Sequence, residues 1–166
     1  MAHEGLSRQF KKRQVRKLYL ALVYGKMKEP AGVINLPIGR HPFNRKKMST
    51  KSRRSRSTET HWKIKESFSG VTLLEIDLTT GRTHQVRVHC AAIDHPVVGD
   101  ATYGGRRRWK DLPPGPIQDI LKGIRRQMLH AWQIRFLHPR TGESMSFKSP
   151  LAEDMAAVLD SLRTLR

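Results

Sequence analysis

The stretch from Lys17 to Tyr24 reads Lys-Leu-Tyr-Leu-Ala-Leu-Val-Tyr and is apolar at even- and odd-numbered positions alike. Successive side chains of a strand point to opposite faces, so a strand with one wet face alternates apolar and polar residues. A strand that is apolar on both faces is expected to be buried between two layers. Gly25 then ends the stretch. The chain therefore has to build a sheet that other elements cover on both sides.

Periodicity predicts the elements around this strand. The segment from Val71 to Leu78 alternates with period two, and Ser69-Gly70 is typical of a tight turn, so we expect antiparallel pairing with residues 59–68. Further predicted strands are residues 32–40, at an edge because of Pro37, and the hairpin of 127–137 with 144–148; predicted helices are residues 1–14, 86–93 and 116–124, and a closing helix that starts at Ser149-Pro150. The 166 residues predict an α+β domain, or a large part of one, with a mixed, mainly antiparallel sheet and flanking helices.

Residues 79–89 place two arginines, two histidines and a glutamine where a strand turns into a helix. Gly81 ends the strand, and the apolar stripe of Val86, Cys90 and Ile93 predicts the helix. A polar set at a strand end, followed by a helix start, is a common place to hold an anion or a substrate. The alternative is a solvated basic surface, because charged residues are mostly exposed.

A net charge of +18, from 32 lysines and arginines against 14 acidic residues, attracts polyanions, and RNA, DNA or an anionic membrane are the candidates. Residues 41–58 contain no acid and too little apolar surface to fold alone, which predicts a mobile basic loop that orders on a phosphate backbone. A second basic patch surrounds Trp109. The residues that we expect to contact RNA are Arg45, Lys46, Lys47, Arg53 and Arg54 in the loop and Arg106, Arg107 and Arg108 in the patch.

Several function classes are disfavoured. The basic residues are spread over loops and not over one face of an amphipathic helix, and no run of about 18 apolar residues is present, so we expect no membrane partner. A single cysteine, Cys90, excludes an internal disulfide and a thiolate zinc site. His84 and His89 are five residues apart, off the helical i, i+4 spacing, so we expect no metal. With no signal-peptide pattern, these features predict a cytoplasmic protein.

Three stretches, in chain order, resemble the RluA/RluD-type family of RNA pseudouridine synthases. The resemblance covers nearly the whole chain, and its most specific motif is the second. The stretches are Lys-x-Tyr-x-Ala-x-Val-x-Gly at residues 17–25; Gly-Arg-Thr-His-Gln-Val-Arg-Val-His at 81–89, followed by His-Pro-x-x-Gly-Asp-x-x-Tyr-Gly at 95–104; and Leu-His-Ala at 129–131, with Phe-x-His-Pro at 136–139 and Ser-Pro-Leu at 149–151.

The resemblance implies an enzyme that isomerises uridine to pseudouridine in structured RNA, ribosomal RNA ahead of transfer RNA, without a cofactor. The uridine is flipped into a pocket, detached from its ribose, rotated and rejoined through C5. By the same resemblance, Tyr19 lies against the uracil and handles the C5 proton, although as a residue it is equally well a core aromatic. Arg87 is implied to pair with the catalytic aspartate, and Arg82 and His84 to contact phosphate or shape the turn.

The chain departs from this family at one place. The family's aspartate belongs to a His-Arg-Leu-Asp motif upstream of the tyrosine strand, and the sequence contains no such motif; Asp100 matches a position that we interpret as structural. We therefore expect residues 1–166 to be the C-terminal portion of a catalytic domain, without its aspartate segment or an N-terminal RNA-binding domain, and inactive alone. We also expect self-association through an exposed strand from Lys17 to Tyr24. The alternative function is a non-catalytic basic RNA-binding module.

Overall fold

The computed structural model describes residues 2–166, and six of its strands form one sheet in the order β2-β6-β7-β1-β8-β9. Every neighbouring pair in this sheet is antiparallel. The elements are α1 (Ala2–Lys11), β1 (Arg16–Tyr24), β2 (Ala31–Ile34), β3 (Ile38–Arg40), β4 (Met48–Ser49), β5 (Ser55–Arg56), β6 (Thr60–Phe68), β7 (Val71–Leu78), α2 (Gln85–Ala92), a 3₁₀ turn (Arg108–Asp111), α3 (Pro116–Lys122), β8 (Leu129–Leu137), β9 (Ser144–Lys148) and α4 (Glu153–Arg163). The predicted α+β class with a mainly antiparallel sheet and flanking helices is confirmed.

Strand β1 lies inside the sheet, between β7 and β8, as its apolar sequence requires. Leu22 and Leu20 belong to the core that α3 and α4 cover, whereas Ala21 and Val23 belong to the core under α2. The predicted burial between two layers is confirmed. The predicted exposure of this strand to a second copy is wrong, because Leu20 pairs with β7 on one edge and with β8 on the other.

The strand from Val71 to Leu78 and its antiparallel partner occur where periodicity predicts them. Gly70 has a φ of 80° in the turn between them, a conformation that glycine adopts without steric cost. The edge strand predicted over residues 32–40 is split in two around Pro37. Strand β2 is an outer strand of the large sheet, as predicted, whereas β3 is the central strand of a small second sheet, which the prediction missed. This part of the fold follows from local patterns.

The basic segment of residues 41–58 is not entirely irregular. Its two short strands, β4 and β5, pair on either side of β3 to make a small second sheet. The prediction of a loop without regular structure is therefore wrong in these residues, because neighbouring β3 supplies the backbone partners that the segment lacks alone. Its mobility stays a prediction.

The closing helix α4 begins at Glu153 and not at Ser149-Pro150, as the sequence suggested. The backbone N–H of Ser149 donates to the Trp132 carbonyl at 2.8 Å, which continues the pairing of β9 with β8 for one more residue. Pro150 also disfavours a helical conformation in the residue before it. Helix α3 does begin at Pro116, as predicted. Within residues 2–166, none of the helices has the length and apolar character that crossing a membrane requires.

Candidate functional site

The turn between β7 and α2 is held by the buried side chain of Gln85. Its Oε1 accepts hydrogen bonds from the Thr80 hydroxyl at 2.9 Å and from the Arg82 backbone N–H at 3.0 Å. Its Nε2 donates to the Glu59 carbonyl at 2.9 Å and to Thr60 Oγ1 at 3.0 Å. One amide thus joins the start of β6, the end of β7 and the turn, with both donors and the acceptor in use.

His89 is the second anchor beneath the turn, and it is completely buried. Gln85 donates to Thr60 Oγ1, so the Thr60 hydroxyl is left to donate to His89 Nδ1, 2.9 Å away. The His89 Nε2–H then faces the Leu36 carbonyl and Thr58 Oγ1, both at 3.0 Å. Burial lowers the pKa of His89, and the hydrogen bond to Leu36 only partly opposes this. His89 is therefore a neutral structural residue that ties β6 and the residues after β2 to α2.

In the part of the chain that the structure describes, no three His, Cys, Asp or Glu side chains lie close enough together to hold a metal ion. The one cysteine, Cys90, is buried under the sheet in α2. Burial raises the pKa of its thiol to about 12. Cys90 is thus a core residue, as its place on the apolar stripe predicts.

His84 lies in the left-handed region, with a φ of 57°, immediately before α2. Non-glycine residues rarely adopt this conformation, and the cases that occur are concentrated at functional sites. The Met48 N–H donates to Tyr103 Oη at 2.9 Å, which leaves the Tyr103 hydroxyl to donate to His84 Nδ1, also at 2.9 Å. Burial and the charge of Arg87 lower the pKa of His84. This chain of bonds fastens the basic segment and the loop at residues 95–104 to the turn.

Arg87 projects from α2 and makes a bidentate ion pair with Asp100. Its Nε lies 2.7 Å from Asp100 Oδ2, and its Nη2 lies 2.8 Å from Oδ1. The Asp100 side chain is fully buried and that of Arg87 is 13% exposed. Burial alone would raise the pKa of Asp100, but Arg87 and the backbone N–H groups of Thr102 and Tyr103 lower it overall. The Tyr103 ring also lies 5.1 Å from the guanidinium carbon.

Arg87 is thus held by a carboxylate of this chain, and the motif aspartate that the resemblance implied is a separate group. The two hydrogen bonds use Nε and Nη2. The guanidinium carries a further nitrogen, Nη1, with which it can meet a second carboxylate. Pairing of Arg87 with the family's aspartate stays a prediction. The structural role that the sequence suggested for Asp100 agrees with its burial and its four hydrogen bonds.

Tyr19 lies in β1 on the face of the sheet that α2 covers, and it packs against that core. Its ring also lines a groove of about 390 Å³ together with the aromatic rings of Phe10, Trp132 and Phe147. Burial raises the pKa of the Tyr19 hydroxyl. Tyr19 is therefore a core aromatic that also borders an open groove, and the entry of a base into that groove stays a prediction. Among residues 2–166, no hydrogen bond or ring contact joins Tyr19 to Arg87.

The other basic residues fall into two groups. Arg108 is paired with Asp94 at 2.8 Å, at the edge of the patch around Trp109. The rest make no ion pair within the described residues 2–166 and lie at the surface, Lys47 partly covered. Their charges are therefore available to a polyanion. These residues are Arg45, Lys46, Lys47, Arg53 and Arg54 in the basic segment and Arg106 and Arg107 in the patch.

Sequence reasoning pointed to the turn but not to what holds it. The partnership of Arg87 with Asp100 spans 13 residues, and that of Met48 with Tyr103 spans 55. The motif at residues 95–104 signalled that Asp100 and Tyr103 matter, without showing what they touch. Gln85 and His89 carried no signal beyond their place in the motif.

A family model described as RNA pseudouridylate synthase matches residues 1–92, a range that contains Tyr19 and Arg87. Ribosomal large subunit pseudouridine synthase D of Nitrosomonas europaea is 43% identical over 160 residues, which cover 96% of this chain and 44% of that protein. The protein of the same name from Vibrio cholerae is 42% identical over 165 residues, 98% of this chain and 49% of that one. The chain spans about half the length of the curated relatives it matches.

Two solved structures share the fold over 96% of this chain. Human RNA Pseudouridylate Synthase Domain Containing 1 is 30% identical, with a TM-score of 0.69 over 70% of its own chain. Human RNA Pseudouridylate Synthase Domain Containing 4 is 25% identical, with a TM-score of 0.71 over 67% of its chain. The arrangement of sheet and helices is therefore shared with other proteins.

Proposed function

The chain belongs to the RNA pseudouridylate synthase family, and on that premise we propose that its site takes part in converting a uridine of structured RNA to pseudouridine. The observation that carries the proposal is the bidentate hold of Asp100 on Arg87 at the start of α2. A guanidinium fixed in this way is preorganised to receive a second anionic group without further loss of freedom.

The proposed reaction is an isomerisation that balances within the RNA. The C1′–N1 bond of the uridine breaks, the uracil turns, and a C1′–C5 bond forms; the proton leaves C5 and N1 ends protonated. No electrons are gained or lost, so no redox cofactor takes part. In this proposal the Tyr19 ring gives the flipped base a stacking surface, and the Tyr19 hydroxyl handles the C5 proton.

The aspartate of the family's reaction comes from the His-Arg-Leu-Asp motif, which the sequence does not contain. In this proposal Arg87 pairs with that aspartate through Nη1. A carboxylate beside a cation keeps its charge, and hence its nucleophilicity, in a water-poor pocket. The 166-residue chain supplies the tyrosine and the arginine and does not turn over uridine by itself.

We propose ribosomal RNA as the substrate, ahead of transfer RNA, and a cytoplasmic location. The support for the RNA is the name of the relatives, which are ribosomal large subunit pseudouridine synthases. The net charge of +18 and the exposed cations of the basic segment agree with a large polyanion. The support for the location is the single cysteine, which is unpaired.

Release of tritium from RNA carrying C5-tritiated uridine tests the function directly. The 166-residue chain is compared with a fusion in which the part of the Nitrosomonas europaea relative that it does not match precedes it. We expect turnover by the fusion and none by the chain alone. Turnover by neither protein on ribosomal RNA would overturn the proposal, and turnover by the chain alone would remove the need for the motif aspartate.

The second candidate is a non-catalytic RNA-binding module, favoured by the exposed cations that have no acidic partner among residues 2–166. An Arg87→Lys variant of the fusion separates the two functions. A synthase loses turnover and keeps its RNA affinity, because lysine cannot reproduce the bidentate pairing. A simple binding module shows no turnover to lose, with or without the substitution.

A further inference from the structure

A basic pocket lies between the end of α1, the start of β1 and the turn that follows β7. Its volume is about 420 Å³. It is bordered by four cationic side chains and by no acidic one. The cations are Lys11, Arg13, Lys17 and Arg82. Like charges gathered around one opening repel each other, so an anion in the pocket lowers its electrostatic energy.

Lys17 is one of the two partly buried cations of this pocket. It pairs in register with Leu78, which brings it beside the turn, and burial lowers the pKa of its ammonium. Its Nζ lies only 2.9 Å from the position that a Cβ would occupy on Gly81. A side chain at Gly81 would therefore displace the ammonium from its place beside the turn. The same Nζ lies 5.8 Å above the centre of the Phe10 ring.

Arg82 borders the pocket from the turn. Its backbone is fixed by the hydrogen bond to Gln85. Its buried Nε–H has no hydrogen-bond partner among residues 2–166. Buried donors in native proteins are normally satisfied, so an unsatisfied one requires an explanation. No carboxylate of the described chain neutralises this guanidinium, and a bound anion would do so.

Arg13 sits in the left-handed conformation, with a φ of 57°. Gln14 N–H donates to the Gln9 carbonyl at 2.9 Å, and Arg13 N–H donates to the Phe10 carbonyl at 3.2 Å, which is a Schellman-type helix end. Glycine is the usual residue at this position because it has no Cβ. An arginine there accepts backbone strain at the mouth of a basic pocket, and strain of this kind is concentrated at ligand sites.

The wall of the pocket is firmly attached to the sheet. The Gln9 side chain donates to the Leu137 carbonyl at 2.7 Å and accepts from the Leu137 N–H at 2.9 Å, so α1 is pinned to the end of β8. The pocket also shares Phe10 and Lys17 with the aromatic groove that Tyr19 lines. An apolar groove and a basic pocket that meet at two shared residues match the two halves of a nucleotide, its base and its phosphate.

We propose that this basic pocket binds a backbone phosphate of the RNA, next to the nucleotide whose base enters the Tyr19 groove. The proposal rests on the proposed function, because it takes the ligand of the groove to be a nucleotide. The phosphate accepts hydrogen bonds from Arg13, Lys17 and Arg82. Its negative charge attracts each of these cations and so offsets the repulsion among them. The pocket thereby sets the register of the bound RNA strand and does not distinguish one base from another.

The test is fluorescence anisotropy of the 166-residue chain with a labelled single-stranded oligouridylate of about 12 nucleotides, over a range of salt concentrations. Arg13→Gly removes one cation and the backbone strain together. We expect the melting temperature to stay the same or rise. The slope of log affinity against log salt concentration should become shallower by about 0.7, the value for one lost phosphate contact. If the variant and the wild type bind equally at about 1 M salt, this slope corresponds to about fivefold weaker binding by the variant at about 0.1 M. Lys17→Met, which keeps the apolar stem, should weaken binding to a similar degree.

The matched control is Arg125→Gly, at an exposed arginine outside the pocket. It removes the same charge, and we expect a smaller effect on affinity than that of Arg13→Gly. An equal loss of affinity in Arg13→Gly and Arg125→Gly, or unchanged binding in Arg13→Gly and Lys17→Met, would overturn the proposed phosphate site. The synthase proposal would be unaffected. Weakened binding in the pocket variants together with an inactive fusion would instead reject the synthase proposal and keep the phosphate pocket.

Discussion

Arg87 Nε lies 2.7 Å from Asp100 Oδ2, and Arg87 Nη2 lies 2.8 Å from Asp100 Oδ1, with the Asp100 side chain fully buried. Helix α2 and the loop at residues 95–104 are joined by this pair, because Asp100 also accepts the backbone N–H groups of Thr102 and Tyr103. Removal of one member of a buried pair leaves an uncompensated charge, which typically costs about 3–5 kcal/mol.

Asp100→Asn should lower the free energy of unfolding at pH 7 by about 3 kcal/mol, because Arg87 then lacks its buried counter-charge. The native pKa of Asp100 is below its ordinary value, so this carboxylate stabilises the fold above the unfolded pKa of about 3.9 and loses that effect as the pH falls through the native pKa. Urea unfolding at a series of pH values measures both effects.

The exposed Asp119 in the first turn of α3 provides the control. Asp119→Asn should change stability by less than about 1 kcal/mol at pH 7. If the gap between Asp100→Asn and the wild type does not narrow in acid, the ion pair with Arg87 is not what stabilises the loop.

Gln85→Ala should lower the free energy of unfolding by about 3 kcal/mol, since it leaves the Glu59 carbonyl, the Thr80 hydroxyl and the Arg82 N–H without their partner. Chemical denaturation measures the loss. The exposed Gln14 is the matched control, and Gln14→Ala should stay within about 0.5 kcal/mol of the wild type. Equal effects at the two positions would mean that the amide network does not hold the turn.

The fold should lose stability as the pH falls below about 6.5, where histidines of the unfolded chain take up protons. Burial lowers the native pKa of His89, so the native state resists protonation in this pH range. Protonation therefore stabilises the unfolded state relative to the native state. His89→Gln should therefore have a flatter stability profile than the wild type as the pH falls below about 6.5.

Val88→Ala serves as the comparison for this pH profile, because it truncates a buried neighbour without removing an ionisable group. It should lower stability by a similar amount at every pH and keep the wild-type slope. A slope that is the same in His89→Gln and in the wild type would show that His89 is already protonated in the native state or contributes no linkage.

Tyr19→Phe in the fusion protein should reduce turnover by about 10²–10⁴-fold, the usual loss for a positioned proton-transfer group, with RNA affinity unchanged. Tyr24→Phe is the matched control: it deletes the same hydroxyl from the same strand, but on the face that α3 and α4 cover. It should keep full turnover. Similar losses in both variants would indicate a general effect of β1 and argue against a chemical role for Tyr19.

Much of the secondary structure could be predicted because it depends on neighbouring residues. The two-sided apolar run of β1, the hairpin turn at Gly70 and the first position of α3 at Pro116 are local patterns, and each occurs where it was expected. Ser149 failed as a helix start because its N–H bonds to Trp132, and that partner lies on another strand. The edges of β1 were misjudged for the same reason.

The sequence was sufficient to predict most of the long strands and helices and where the charge lies, since side-chain periodicity and turn chemistry act over a few residues. Only the tertiary structure decided that Asp100 is the carboxylate that holds Arg87, that Tyr103 fastens the basic segment through Met48, and that Lys17 meets the turn at Gly81. These contacts depend on distances between elements, which the packing of the whole sheet sets.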